Sequence, residues 1–315
     1  MNVSSLQPTR IILDTDLGSD CDDAGALAVL HALADRGEAE ILACLYSSGR
    51  NTHGPGCIAA INAYYGRPGI LIGAAEASDL GDPRNDFLEA IATNKALYGH
   101  TAVSRDDVPD LVTVYRQALA MAPDRSVQIV SIGHTKGLFD LLGSQADAAS
   151  ALPGRELVEL KVKTWVAMGG AFPFENKAGW NFGANGAARY SRRVVETWPT
   201  PIIFSGDELG NAIQTGRALS RTPIRNPVRE AYRLWQNALD TGRASWDQTA
   251  VLFAVRGAQD YWDLAQGRCD VDDSGRIEWR NDPQGSHAYL AKKMSPATLA
   301  EVIEELMVQP PVLAG

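Results

Sequence analysis

Residues 11–30 read Ile-Ile-Leu-Asp-Thr-Asp-Leu-Gly-Ser-Asp-Cys-Asp-Asp-Ala-Gly-Ala-Leu-Ala-Val-Leu. An apolar run, Ile11 to Leu13, stops at a turn carrying Asp14, Asp16, Asp20, Asp22 and Asp23. The chain then becomes apolar and rich in small residues, as a buried helix would. Five carboxylates in ten residues repel one another at neutral pH. A hard cation or raised pKa values offset such repulsion. A strand end opening onto a helix is also where open α/β sheets hold their ligands. The turn therefore reads as a metal-centred active site. The plainer alternative is a solvated acidic loop with an Asp at the helix N-cap.

A chain of 315 residues buries a large core, and α/β folds of this size often form one unit. Its 45% hydrophobic and 21% charged residues are ordinary for a globular protein. A net charge of −9 without any basic run argues against nucleic-acid binding, which needs a positive face. Cys21, Cys44, Cys57 and Cys269 form no CxxC pair, so neither a zinc site nor a disulfide framework is expected. Free thiols suit a reducing compartment. Residues 1–10 lack the apolar core of a signal peptide, and no run of about 18 apolar residues suggests a membrane span. A cytoplasmic protein with no membrane partner is the expectation.

Strand-like runs at 11–13, 41–46, 70–72, 127–132, 164–168 and 202–204 alternate with helical patterns at 24–36, 56–65, 108–121, 137–142 and 187–196. That alternation predicts a single α/β domain over 1–315, with an open, mostly parallel sheet and helices on both faces. Residues 74–107, rich in Gly, Pro and Asp, read as an excursion near the site. Helices are expected at 228–239 and 249–255, and a polar hairpin over 262–290. Within that hairpin Asp270-Val-Asp272-Asp-Ser274-Gly275 imitates an EF-hand loop. Asn281 stands where Glu belongs, which favours a strand-turn-strand reading.

Asp14-Thr-Asp16-Leu-Gly18-Ser-Asp-Cys-Asp22-Asp23-Ala-Gly-Ala-Leu resembles the N-terminal motif of the calcium-dependent, inosine-uridine preferring nucleoside hydrolases, in its longer-spaced variant. The resemblance runs in patches from about residue 10 to residue 256. It implies a nucleoside hydrolase-like fold with a Rossmann-like core. Asp16, Asp23 and Asp247 would then bind calcium, helped by a main-chain carbonyl of Lys136 or Thr135 in the turn after the fourth strand. Asp22 matches the general base. Independently of the family, a carboxylate beside a cation-acidified water can take its proton. One carboxylate acting on water implies inversion at the anomeric carbon.

Met168-Gly-Gly-Ala-Phe172-Pro-Phe-Glu175-Asn176-Lys-Ala-Gly179-Trp180-Asn181-Phe182 resembles the family's ribose-binding loop. Asn176 and Asn181 are the implied sugar contacts, with Asn51 and Asp14 elsewhere; a plain turn is the alternative for the loop. His134 reads either as a leaving-group contact or as a surface or capping histidine. Four positions depart from the family. Gly179 replaces a Glu, Lys136 a Thr, and Arg50 precedes Asn51 where the family has Gly. Trp246 stands where many members carry the histidine that assists the departing base. Indole supplies no acidic proton, but it can stack on an aromatic leaving group.

The function expected is therefore hydrolysis of the N-glycosidic bond of a ribonucleoside or related N-riboside, with calcium, in a homodimer or homotetramer. Two rivals stand beside it. The departures leave open a non-catalytic calcium-dependent sugar or nucleoside binder. Asp14-Thr-Asp16 also echoes haloacid dehalogenase-type phosphatases, but that motif explains neither Asp22-Asp23 nor Asp247.

Overall fold

The computed structural model describes residues 7–174 and 178–312. Nine strands form one sheet: β1 (Thr9–Thr15), β2 (Ala39–Tyr46), β3 (Leu71–Ala74), β4 (Val127–Ser131), β5 (Val162–Met168), β6 (Ile202–Ser205), β7 (Trp262–Val271), β8 (Ile277–Asn281) and β9 (His287–Lys292). Their spatial order is β8-β7-β9-β6-β5-β4-β1-β2-β3. Every pairing from β3 across to β9 is parallel; only β7 with its neighbours β8 and β9 runs antiparallel. The strands and helices read from the sequence fall within a few residues of those observed, and the mostly parallel α/β sheet stands as expected.

The strands alternate their side chains between two cores, as the two-residue period requires. Ile11 and Leu13 of β1 join one apolar cluster and Ile12 the other. The first cluster is closed by α1 (Asp22–Asp35), α2 (Gly54–Tyr64), α7 (Pro227–Leu234), α8 (Trp246–Arg256) and α9 (Pro296–Met307). The second is closed by α3 (Leu111–Met121), α4 (Lys136–Gly143), α5 (Gly154–Lys161) and α6 (Ala188–Thr197). Caps set several of these starts: Asp110 accepts from the amides of Val112 and Thr113 at 2.9 and 3.2 Å, and Ser295 precedes Pro296 and accepts from Thr298 at 3.2 Å.

Two expectations change. The helix read over 228–239 ends at Leu234. Trp235 turns inward and donates to the Ser19 carbonyl at 3.4 Å. Gln236 and Asn237 then take φ of 46° and 53° before a short turn, Ala238–Thr241. The 262–290 segment is more than a hairpin: β9 returns beside β6 and extends the main sheet. Its Asp272–Gly275 turn is the tip of the β7–β8 hairpin, with the Gly275 amide bonded to the Asp272 carbonyl at 3.0 Å. The helices α5 and α9 were not read from the sequence.

Helix α1 is buried from Asp22 through Leu33, which explains its lack of a polar face. It packs closely against α7 and α8 at Gly25. A Cβ there would lie 2.4 Å from the Gln248 amide nitrogen and 2.6 Å from the Tyr232 hydroxyl. Gly25→Ala is therefore expected to destabilise the fold by about 1–3 kcal/mol, the usual cost of overpacking. Thermal denaturation checks this; an unchanged or higher Tm would show that α1 and α8 can part freely.

Candidate active site

The carboxyl ends of the parallel strands frame a cavity of about 210 Å³. It sits where strand order reverses, with β1 between β4 and β2, the place such sheets favour for ligands. Asp16, Ser19 and Asp20 come from the turn after β1, and Asp22 and Asp23 from the first turn of α1. Ile132 and Met168 close the floor at the ends of β4 and β5. Trp180, Asn181, Asp207, Trp246 and Asp247 complete the wall, with Arg84 and Arg243 reaching in from loops.

Asp22 is the mechanical centre. One of its oxygens, Oδ2, accepts the backbone N–H groups of both Trp246 and Asp247, at 3.1 and 3.2 Å. A side chain from the start of α1 thus caps α8, whose own N-cap residue, Ser245, makes no side-chain cap. The close approach of α1 and α8 brings the predicted pair Asp22-Asp23 against Asp247. Thr15 donates its hydroxyl to Asp23 Oδ1 and receives the Leu17 amide at 3.1 Å, which fixes the turn. Carboxylate oxygens of Asp20, Asp22 and Asp23 lie within 4.8 Å of one another. Asp16 lines the same cavity with its Oδ2 buried and lacking a hydrogen-bond partner among the described residues.

Burial dominates the electrostatics. It pushes Asp14 and Asp16 up to about 7. Asp22, Asp23 and Asp247 are pushed well above the usual carboxylate range by burial first and then by neighbouring carboxylates: Asp20 for Asp22, Asp16 and Asp20 for Asp23, and Asp22 and Asp23 for Asp247. Asp20 is the exception. Burial opposes its ionisation, but hydrogen bonding with Asp22 and the Arg243 guanidinium at 2.6 Å hold it below its ordinary value. An all-oxygen set with an orphaned buried carboxylate oxygen is the donor chemistry that a hard cation takes.

The other predicted residues divide. Asn181 lines the cavity, and its amide nitrogen bonds the carbonyls of Ile132 and Met168, both at 3.1 Å, strapping β4 to β5. Trp246 also lines it, its indole N–H donating to the Asp207 carbonyl at 3.2 Å. His134 lies fully buried behind the wall, with Nδ1 3.3 Å from the Asn181 carbonyl and Nε2 3.6 Å from Asp16 Oδ2. Asp14 sits beneath the cluster and accepts from the Tyr115 hydroxyl at 2.7 Å. Asn51 is not on the cavity wall. Its amide bonds the Arg84 carbonyl at 3.2 Å and the His53 amide at 3.0 Å, tying the 74–107 excursion to the β2 loop. Thr135 and Lys136 begin α4. The Thr135 carbonyl receives the Phe139 amide at 3.0 Å, and the Lys136 ammonium pairs with Asp140. From this turn it is Ile132 that reaches the cavity. Asn176, with Glu175, lies outside the described residues.

Sequence reading gave no role to Asp20, Arg84, Asp207 or Arg243. Arg243 is held between the rings of Trp235 and Trp246, at 4.3 and 4.5 Å, and paired with Asp20. The only signal for it was its place three residues before Trp246.

The mostly parallel α/β sheet of this chain has the nucleoside hydrolase fold. No family model matches the sequence, and no curated protein does. Among solved structures it is similar to the inosine-uridine preferring nucleoside hydrolase of Bacillus anthracis, at 16% identity and a TM-score of 0.71, over 95% of this chain and 99% of that one. It is similar to the purine-preferring ribonucleoside hydrolase of Gardnerella vaginalis, at 16% identity and a TM-score of 0.69, over 95% and 98%. The type III effector protein XopQ, solved with adenosine diphosphate ribose, matches at 16% identity and a TM-score of 0.67, over 97% and 94%.

Asp14 provides a test of the buried charge. Without metal, the folded state holds the Asp14 proton up to about pH 7, whereas the unfolded chain releases it near 4. Wild type therefore loses stability relative to Asp14→Asn as pH rises from 4 to 7, approaching about 1.4 kcal/mol per pH unit, with no further loss above. Buried neutral His31 and His134, lowered to about 3 and 4, act in the opposite sense below pH 6.5 but cancel in this difference. Chelator-treated protein followed by denaturant melts reads the effect; a pH-independent difference would show Asp14 to be ordinarily ionised.

Proposed function

We propose that this chain is a hydrolase that cleaves the N-glycosidic bond of ribonucleosides or related N-ribosides with the aid of calcium. The observation that carries the reading is Asp22. In a nucleoside hydrolase fold it lines the switch-point cavity, with Oδ2 held by two α8 amides and Asp20 beside it.

Asp16, Asp23 and Asp247 would hold the cation, with Asp20 added by its place beside Asp22 and Asp23. The main-chain ligand proposed from Lys136 or Thr135 remains part of this reading. When bound, a divalent cation offsets the carboxylate charge and acidifies water in its shell. Asp22 takes a proton from the water that attacks the anomeric carbon, and the product is the inverted sugar. Asn181 and Trp246 face the substrate from the wall; Asp14 steadies the cluster from below through Tyr115. The two α8 amides fix the orientation of the Asp22 carboxyl on the cavity wall. The substrate is a small nucleoside or N-riboside, and the active form a homodimer or homotetramer in the cytoplasm. Among the described residues no helix is long and apolar enough to cross a membrane.

A second reading, a calcium-dependent nucleoside binder without turnover, is favoured by the similarity to an effector solved with adenosine diphosphate ribose. Two measurements decide between them. Calcium at about 100 times its dissociation constant is expected to stabilise the fold by about 2.7 kcal/mol, reversibly with chelator. Asp22→Asn keeps an acceptor for the α8 amides and is expected to lower ribose release by about 10²–10⁴-fold while leaving nucleoside binding measurable. Ribose release equal to wild type would remove Asp22 from the mechanism, and binding without release in wild type would establish the binder.

A further inference from the structure

Cleaving a C–N glycosidic bond returns an electron pair to the departing nitrogen, and something must make that acceptable. An imidazole acid does not line this cavity among the described residues. Trp246 stands at the start of α8, and its indole N–H is committed to the Asp207 carbonyl. His134 is fully buried and does not line the cavity.

The cavity also holds a carboxylate beyond those assigned to the cation. Asp207 joins Asp16, Asp20, Asp22, Asp23 and Asp247 on the lining, against Arg84 and Arg243. Both guanidinium groups are already paired, Arg84 with Asp82 and Arg243 with Asp20, each at 2.6 Å. The Asp207 carboxylate, at the end of β6, has no hydrogen-bond or ion-pair partner among the described residues. Burial raises it only to about 6, so it is mostly ionised at neutral pH. Trp246 and Trp180 line the same cavity, and aromatic faces attract cations, as the Arg243 guanidinium 4.5 Å from the Trp246 ring centre illustrates.

Resting on the hydrolase reading above, we propose that the substrate is an N-riboside whose aglycone is a cationic heterocycle, a pyridinium or N-alkylated purinium, with Asp207 as its counter-charge and Trp246 as its aromatic wall. The chemistry balances without a general acid. Water oxygen bonds to the anomeric carbon as the C–N bond breaks. The bonding pair goes to the ring nitrogen, which loses its positive charge and leaves as a neutral base. The water proton goes to Asp22. A neutral nucleoside, by contrast, must expel an anion or find a proton that this wall does not offer.

The test uses the full chain with calcium and four probes. Nicotinamide riboside carries a pyridinium, inosine and uridine carry neutral bases, and nitrophenyl riboside carries a neutral but activated leaving group. The expected result is kcat/KM for nicotinamide riboside at least about tenfold above inosine and uridine. Asp207→Asn should cost the pyridinium riboside about tenfold more than it costs nitrophenyl riboside, the effect of leaving a bound charge unpaired. Inosine or uridine cleaved as fast as the pyridinium riboside would overturn the proposal. So would Asp207→Asn slowing the neutral nucleosides more than the pyridinium riboside, which would make Asp207 a leaving-group acid. Nitrophenyl riboside cleaved while nicotinamide riboside is not would overturn this inference and leave the hydrolase reading standing. No cleavage of any probe with calcium bound would overturn both.

Discussion

The structure depends on keeping several carboxylates out of water without letting their repulsion drive α1, β1 and α8 apart. Burial alone opposes ionisation, and each neighbouring charge adds to the penalty. The fold counters this with backbone. The amides of Trp246 and Asp247 converge on Asp22 Oδ2 from the positive end of α8. Arg243 pairs with Asp20, and the Thr15 hydroxyl holds Asp23. These contacts position the cluster but leave Asp16 Oδ2 and Asp14 Oδ1 without hydrogen-bond partners among the described residues. Such orphaned oxygens in a packed interior are costly and are normally retained for a bound group.

Most of the sheet was legible because its signals are local. Short β-rich runs separated by helical periods imply parallel strands, and β1 to β6 follow them closely. The acidic turn announced the site for the same reason: Asp14 to Asp23 lie in one stretch, and the charge conflict is visible without any tertiary contact. What the sequence concealed depends on contacts between distant segments. Asp207 follows β6 among ordinary turn residues, and only the sheet order brings it opposite Asp22. Arg243 reads as a surface residue until Trp235 and Trp246 close around it. Asn51, matched to a sugar contact by pattern, turns its amide instead to the Arg84 carbonyl and the His53 amide. The return of β9 to β6 was hidden because a polar hairpin and a sheet extension share one alternation. The break at Gln236 was hidden because the apolar period continues into Trp235, which faces inward without remaining helical.

Trp246, Asp207 and Arg243 form one physical group on the cavity wall. Trp246 presents an indole, Asp207 a carboxylate with no ion-pair partner among the described residues, and Arg243 fills the space between the rings of Trp235 and Trp246. Together they set the charge of the wall, while the carboxylates of the acidic turn form the other side of the cavity. The two halves of the site thus follow different rules. The floor is set by β-strand ends and strapped by Asn181, and the wall is set by loops.

The Asp22 cap joins residues 224 and 225 positions apart in the chain. Loop closure over such a distance comes late, after local elements have formed. During synthesis the acidic turn emerges long before the helix that it caps. The cavity is therefore complete only once α8 has docked against α1, so its geometry depends on a contact between distant parts of the chain.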